Sequence, residues 1–121
     1  FEYVKNYNQR DAYNICSNAN LIITIDSTLG YEMLARGKKV AFFGLRPNLY
    51  PLNTRNFLYP EISKKGKFWI NTERLSENEF LEIINYLNTV KENDWHEEHN
   101  YIKKNYITVD QGNNKFLNYI N

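Results

Sequence analysis

Between Leu21 and Gly44 the chain reads LIITIDSTLGYEMLARGKKVAFFG, and no other stretch restricts the fold as much. LIITID is β-branched and almost wholly apolar, the pattern of a strand covered on both faces. Asp26, Ser27 and Thr28 stand where that strand ends, and all three are residue types that cap helices. From Thr28 to Arg36 the sequence is helical in character, with Leu29, Met33 and Leu34 expected to face a sheet. Gly37 stops the helix, and KVAFF resumes an apolar strand. Two such strands joined by one helix read as a parallel pair with a right-handed crossover. The expected class is therefore α/β, a Rossmann-like parallel sheet flanked by helices.

A strand that passes through a polar turn into a helix N-terminus is also a natural anion site, because unpaired backbone N–H groups point outward there. The hydroxyls of Ser27 and Thr28 can add donors to a phosphate. Glu32 lies one helical turn beyond Thr28, so it can face the same ligand. Each of these residues also has a plainer reading. Ser27 and Thr28 can be an N-cap, and Glu32 a solvated carboxylate favoured by the helix dipole. Gly30, costly inside a helix, serves either close backbone approach to a ligand or packing of helix on sheet. Asp26 ends its strand at the carboxyl edge, where open α/β sheets bind ligands, and it either contacts a ligand or caps the helix. Arg46 follows the next strand at the same edge, where a guanidinium either pairs bidentately with phosphate or stands in solvent. Arg36 and Lys38 flank the helix end and are expected to neutralise its carbonyls.

The rest of the chain supplies the frame. Asn8 to Asn18 predicts a helix with Ala12, Ile15 and Cys16 on one face. Leu45 to Lys67 is a long irregular stretch holding Pro47, Pro51 and Pro60, of the kind that is usually functional or mobile. Lys67 to Ile70 reads as a short third strand. Ser76 and Glu79 form a capping box ahead of Phe80, Ile83, Ile84 and Leu87 at helical spacing. A further helix is expected over Asp94 to Lys104, with Trp95 and Ile102 as apolar contacts. A turn at Asp110, Gly112 and Asn113 precedes a last short helix, Asn113 to Ile120, carrying Phe116, Leu117 and Ile120.

At 121 residues the chain suits one domain with a modest core. A formal net charge of +1 gives no reason to invoke nucleic acid. The densest basic cluster, Lys64, Lys65 and Lys67, reads as a solvated loop rather than a membrane contact. No apolar run approaches the ~20 residues of a membrane-spanning helix. The single cysteine, Cys16, excludes an internal disulfide, fits a reducing cytoplasm and reads as a small buried residue. His96 and His99, in WHEEHN, lack the four-residue separation of HExxH and have no third ligand nearby, so they read as a polar helix face. No nucleophile triad, Cys-rich metal set or glycine-rich P-loop is present, and no resident metal or cofactor is expected.

The run DSTLGYEMLARGKKVAFF resembles the nucleotide-sugar half of GT-B-fold glycosyltransferases, in particular bacterial surface-carbohydrate (lipopolysaccharide or capsule) biosynthesis proteins. FWIN at Phe68–Asn71 is similar to an FWTN-like strand of those proteins. VDQGNNKFLNYI is similar to their YDPGN-type ending, with Gln111 where Pro is usual. The resemblance implies that Ser27 and Thr28 meet the donor phosphates and Glu32 the ribose. It implies a donor-nucleotide-sugar-binding domain over 1–121, the C-terminal part of a longer enzyme. The acceptor, a saccharide or lipid-linked saccharide, would be held by a missing N-terminal domain, and this piece alone is expected to be inactive. It further implies a cytoplasmic protein, with peripheral membrane association of the full-length chain as an extension. Two rival readings stand beside it. A nucleotide-sugar epimerase of the same architecture tends to carry Asp-Ser-Gly-Gly, where this chain has Asp26-Ser27-Thr28-Leu29. A non-catalytic α/β module would use the abundant tyrosines as an interface.

Overall fold

The apolar runs do pair as one parallel sheet. In a computed structural model of the protein, which describes residues 9–46, 56–58 and 63–107, the order is α1 (Gln9–Asn18), β1 (Ile22–Thr24), α2 (Thr28–Ala35), β2 (Val40–Gly44), β3 (Trp69–Asn71), α3 (Glu77–Thr89) and α4 (Glu92–Tyr106). The strands lie in the order β1-β2-β3, both pairings parallel. This is a Rossmann-like α/β fold. The expected turn at Asp110–Asn113, the last helix and the three prolines of the long irregular stretch lie outside the described residues.

Register assigns the faces. Thr24, Phe42 and Trp69 stand side by side across the sheet, as do Phe43 and Ile70. Successive residues of β2 therefore serve opposite layers. Phe42 meets Tyr31 of α2, ring centroids 5.1 Å apart, and Phe43 stacks on Phe80 of α3 at 5.2 Å. All of β2 is buried, as a strand covered on both faces must be. The α2 side continues as a chain of rings: Phe57 lies 4.2 Å from Phe42 and 5.2 Å from Trp69, and Phe68 lies 5.3 Å from Trp95.

Helix ends form where capping residues stand in the sequence. Ser27 is the N-cap of α2, its Oγ accepting from Leu29 N–H at 3.2 Å. At the other end Gly37 takes φ 88, and the N–H groups of Gly37 and Lys38 bond the carbonyls of Leu34 and Met33 at 2.9 and 3.0 Å. That pair of bonds is a Schellman motif. It satisfies the last carbonyls with backbone donors, so Arg36 and Lys38 are not needed for them: Arg36 lies over the Tyr13 ring and Lys38 Nζ reaches Ala19 O. The capping box of α3 is formed as expected, Ser76 Oγ accepting from Glu79 N–H while the Glu79 carboxylate accepts from Ser76 N–H, both at 3.1 Å. The Ser76 side chain, and then its backbone N–H, hold the Glu79 carboxyl below its ordinary pKa by hydrogen bonding.

Three expectations are corrected. The first apolar run is not a strand covered on both faces: Ile23 of β1 is half exposed, because α2 covers one side of it while α3 packs on β2. In α1 the residues packed on the core are Tyr13 and Cys16, while Ile15 is exposed. The helix leans on α2 at the margin of the sheet, where the long Tyr13 side chain makes the contact and Ile15 turns outward. In α4, His99 is not on a polar face. Trp95, His99 and Ile102 form the buried stripe, one side of a helix by their spacing. The Trp95 indole N–H donates to Gly37 O at 3.0 Å, and the His99 ring packs on Trp95. Burial, then the neighbouring His96 and Lys103, push the His99 imidazole pKa down, so it is the neutral ring that lies against the turn after α2.

Gly30 receives a packing reason. A Cβ there would sit 2.6 Å from Thr24 Cγ2 and 3.2 Å from the Phe42 ring, because α2 rides directly on β1 and β2. Gly30→Ala should therefore destabilise by about 1–2 kcal/mol, overpacking outweighing the gain in helix propensity. In a Thr24→Ser background, which removes the obstructing methyl and keeps the hydroxyl that accepts from Ser27 N–H, the cost of Gly30→Ala should fall by about 1 kcal/mol. Equal costs in both backgrounds, measured by urea unfolding, would remove this account of the glycine.

Candidate functional site

All three strands point the same way, so the segments leaving their carboxyl ends gather on one edge. After β1 come Asp26, Ser27 and Thr28; after β2, Leu45 and Arg46; β3 ends at Asn71. Asp26 and Arg46 meet there as an ion pair, the guanidinium about half exposed and the carboxylate more covered. Of the two readings of Asp26, capping is thus taken by Ser27, and Asp26 holds the arginine instead. Arg46 is neither buried nor free: it is fixed at the mouth of the edge beside the N-terminus of α2.

Ser27 and Thr28 are both exposed at that N-terminus. The Ser27 Oγ lone pair is spent on Leu29 N–H, which leaves its O–H as a donor toward solvent. Thr28 is exposed at the same N-terminus, the positive end of the helix dipole, where Leu29 N–H bonds Ser27 Oγ and Gly30 N–H bonds Ser27 O. Thr28, Glu32 and Arg36 recur at four-residue intervals and form one exposed stripe along α2. Against that stripe stands Tyr13 of α1. Its hydroxyl donates to Glu32 Oε2, and Arg36 covers its ring with the guanidinium carbon 5.5 Å from the centroid. Sequence reasoning missed Tyr13, since a partner 19 residues away leaves no local pattern.

A second unforeseen feature closes the edge from below. Within the long irregular stretch, Asn56–Leu58 is buried. Asn71 binds it from β3: its Oδ1 accepts from Phe57 N–H at 2.6 Å and its Nδ2 donates to Phe57 O at 3.4 Å. Tyr31 binds it from α2, its hydroxyl accepting from Leu58 N–H at 2.9 Å. Leu58 holds φ 61, a conformation rare for such a side chain. Burial raises the Tyr31 pKa; the Leu58 N–H opposes this and the nearby Asp26 charge adds to it. Tyr31 thus stays a neutral phenol between the α2 N-terminus and the tethered tripeptide.

The predicted residues consequently form a centre with two flanks. Ser27 and Thr28 are the centre, Asp26 with Arg46 is one flank, and Glu32 with Tyr13 is the other. Gly30 lies beneath, facing the sheet. Among the described residues no group of three His, Cys, Asp or Glu side chains could hold a metal ion, and no helix is long and apolar enough to cross a membrane. Lys65 and Lys67 pair with Glu82 and Glu98 at 2.9 and 3.6 Å, contacts made by exposed lysines.

The whole chain, residues 1–121, matches a family described as putative O-antigen biosynthesis protein. No curated protein and no solved structure matches the chain.

Proposed function

The chain belongs to this family of putative O-antigen biosynthesis proteins, and on that premise we propose that it is the donor-binding domain of a glycosyltransferase, taking the nucleotide of an activated sugar at the N-terminus of α2. One observation carries the reading above all: a capped helix N-terminus opens at the carboxyl edge of a parallel sheet, with a guanidinium held at the same edge by Asp26. Phosphate oxygens fit such a place because they accept from several convergent donors at once.

In glycosyl transfer the bond from the sugar to the phosphate breaks, and negative charge grows on the departing phosphate. Groups already aimed at that charge stabilise the transition state more than the ground state. The positive end of the α2 dipole, the Ser27 and Thr28 hydroxyls and Arg46 are of that kind, the N–H groups of Leu29 and Gly30 being already taken by Ser27 Oγ and Ser27 O. Arg46 would exchange its carboxylate partner for a phosphate, Asp26 keeping it in place until then. The acceptor and any general base would come from elsewhere in the complete enzyme. Ile23 and Ile25, about half exposed on and beside the edge strand β1, are the surface that a sheet continued past β1 would cover.

The direct test is calorimetric titration of the full-length protein with UDP, GDP and CMP. Saturable binding of at least one, competed by inorganic pyrophosphate or phosphate, is expected. If none binds, the proposal is wrong.

A further inference from the structure

Resting on the nucleotide reading of the α2 edge, we propose that Tyr13 is the positioning residue that makes Glu32 selective for ribose, and that α1 is thereby one wall of the binding site. Glu32 is exposed on α2, one turn above Thr28. An exposed glutamate samples several rotamers, and ordering it on a ligand costs entropy. Here the ordering is already done. The Tyr13 hydroxyl donates to Oε2, and Oε1 remains an acceptor. A carboxylate accepts only, so its ligand must donate. Beside a phosphate held at Ser27 and Thr28, the donors that a nucleotide offers at one turn's distance are its ribose hydroxyls.

Tyr13 is itself held twice. Its ring is packed against the core from α1 and lies under the Arg36 guanidinium. Arg36 stands one turn beyond Glu32, so the tyrosine is clasped between an anion that takes its proton's hydrogen bond and a cation that lies on its π face. Rotation of Tyr13 would break both contacts. The arrangement goes beyond docking one helix on another, for which the partly buried ring alone would serve. It directs the hydroxyl at a carboxylate that faces solvent on the site's side.

The test compares wild type, Tyr13→Phe, Glu32→Gln and Ser27→Ala/Thr28→Ala in the full-length protein. The probes are the tightest-binding ribonucleotide among UDP, GDP and CMP, its 2′-deoxy counterpart and inorganic pyrophosphate. Tyr13→Phe keeps the ring and should leave the melting temperature and pyrophosphate affinity within error. It should weaken the ribonucleotide about 5- to 10-fold, the loss expected for one ordinary hydrogen bond, and weaken the deoxynucleotide less, so that discrimination between the sugars narrows. Glu32→Gln should narrow it in the same sense. Equal weakening of all three probes would show that Tyr13 only docks α1, and unchanged affinities would show that it positions nothing; either overturns the proposal. The double Ser/Thr variant separates the two levels. Its weakened pyrophosphate binding supports the phosphate site even where Tyr13→Phe fails, whereas a wild type that binds no nucleotide overturns both.

Discussion

Asn71→Ala should be among the most damaging substitutions of a polar residue, costing about 2–4 kcal/mol of stability, as much as truncating a buried aliphatic side chain. The asparagine is almost fully buried, and both ends of its amide serve the main chain of Phe57. Alanine would leave a buried N–H and a buried C=O without these partners. Each such group costs roughly 1–3 kcal/mol when nothing replaces the bond. The damage should not stay local, because Phe57 touches Phe42, Phe68 and Trp69, and a loosened tripeptide loosens the ring cluster under α2. Small domains hold only about 5–15 kcal/mol in all, so a clear drop in the urea midpoint is expected. Asn88→Ala, at an exposed position of α3, should stay within about 0.5 kcal/mol. Similar midpoints for the two variants would mean that the tether contributes little.

The same tether shows where sequence reasoning reaches and where it stops. The sheet was readable because each strand is an apolar run bounded by turn or capping residues, but only β2 and β3 are buried throughout, and β1 leaves Ile23 half exposed. Caps were readable too, since Ser27, Gly37 and Ser76 act on neighbours within a few residues. Strand limits moved where hydrogen bonding overrides composition: Ile25 is strand-like in type and Asp26 ends the run read as a strand, yet the turn toward Ser27 takes both off the ladder after Thr24. Side-chain pairing across long separations could not be read. Tyr13 with Glu32, Asp26 with Arg46 and Asn71 with Phe57 are set by how helices and loops settle on the sheet, and single residues of these types carry no period. His99 shows the converse error. WHEEHN looks polar as a string, but at helical spacing its histidine falls in line with Trp95 and Ile102 and must be buried.

The candidate site shares this division. Its centre is local and its flanks are not. The flanking contacts link α1, α2 and the segment after β2, so the geometry offered to a ligand depends on packing that the central turn does not itself determine. A change that loosens α1 or Arg46 should alter ligand selectivity before it alters the fold. Changes at the sheet, such as Gly30→Ala, should act in the opposite order, because α2 is seated on Thr24 and Phe42.

Replacing Ser27 and Thr28 together by alanine should weaken nucleotide binding about 10- to 100-fold, or roughly 1–3 kcal/mol, if both hydroxyls donate to a phosphate. Part of the effect must be separated from loss of the helix cap, since Ser27 Oγ accepts from Leu29 N–H and its removal should cost about 1 kcal/mol of stability by itself. Ser76→Ala provides the comparison. It removes an equivalent bond at the start of α3, on a helix that packs on the other face of the sheet, and should lower stability by a similar amount while leaving nucleotide affinity unchanged. The backbone N–H groups of α2 survive in the double variant, so a residual, salt-sensitive affinity for phosphate should persist. Calorimetry at two ionic strengths on wild type and both variants decides between the readings. If the Ser27→Ala/Thr28→Ala protein binds the nucleotide as tightly as wild type, or if Ser76→Ala weakens binding as much, then the two hydroxyls do no more than begin a helix, and the phosphate site has to be sought elsewhere on the sheet edge.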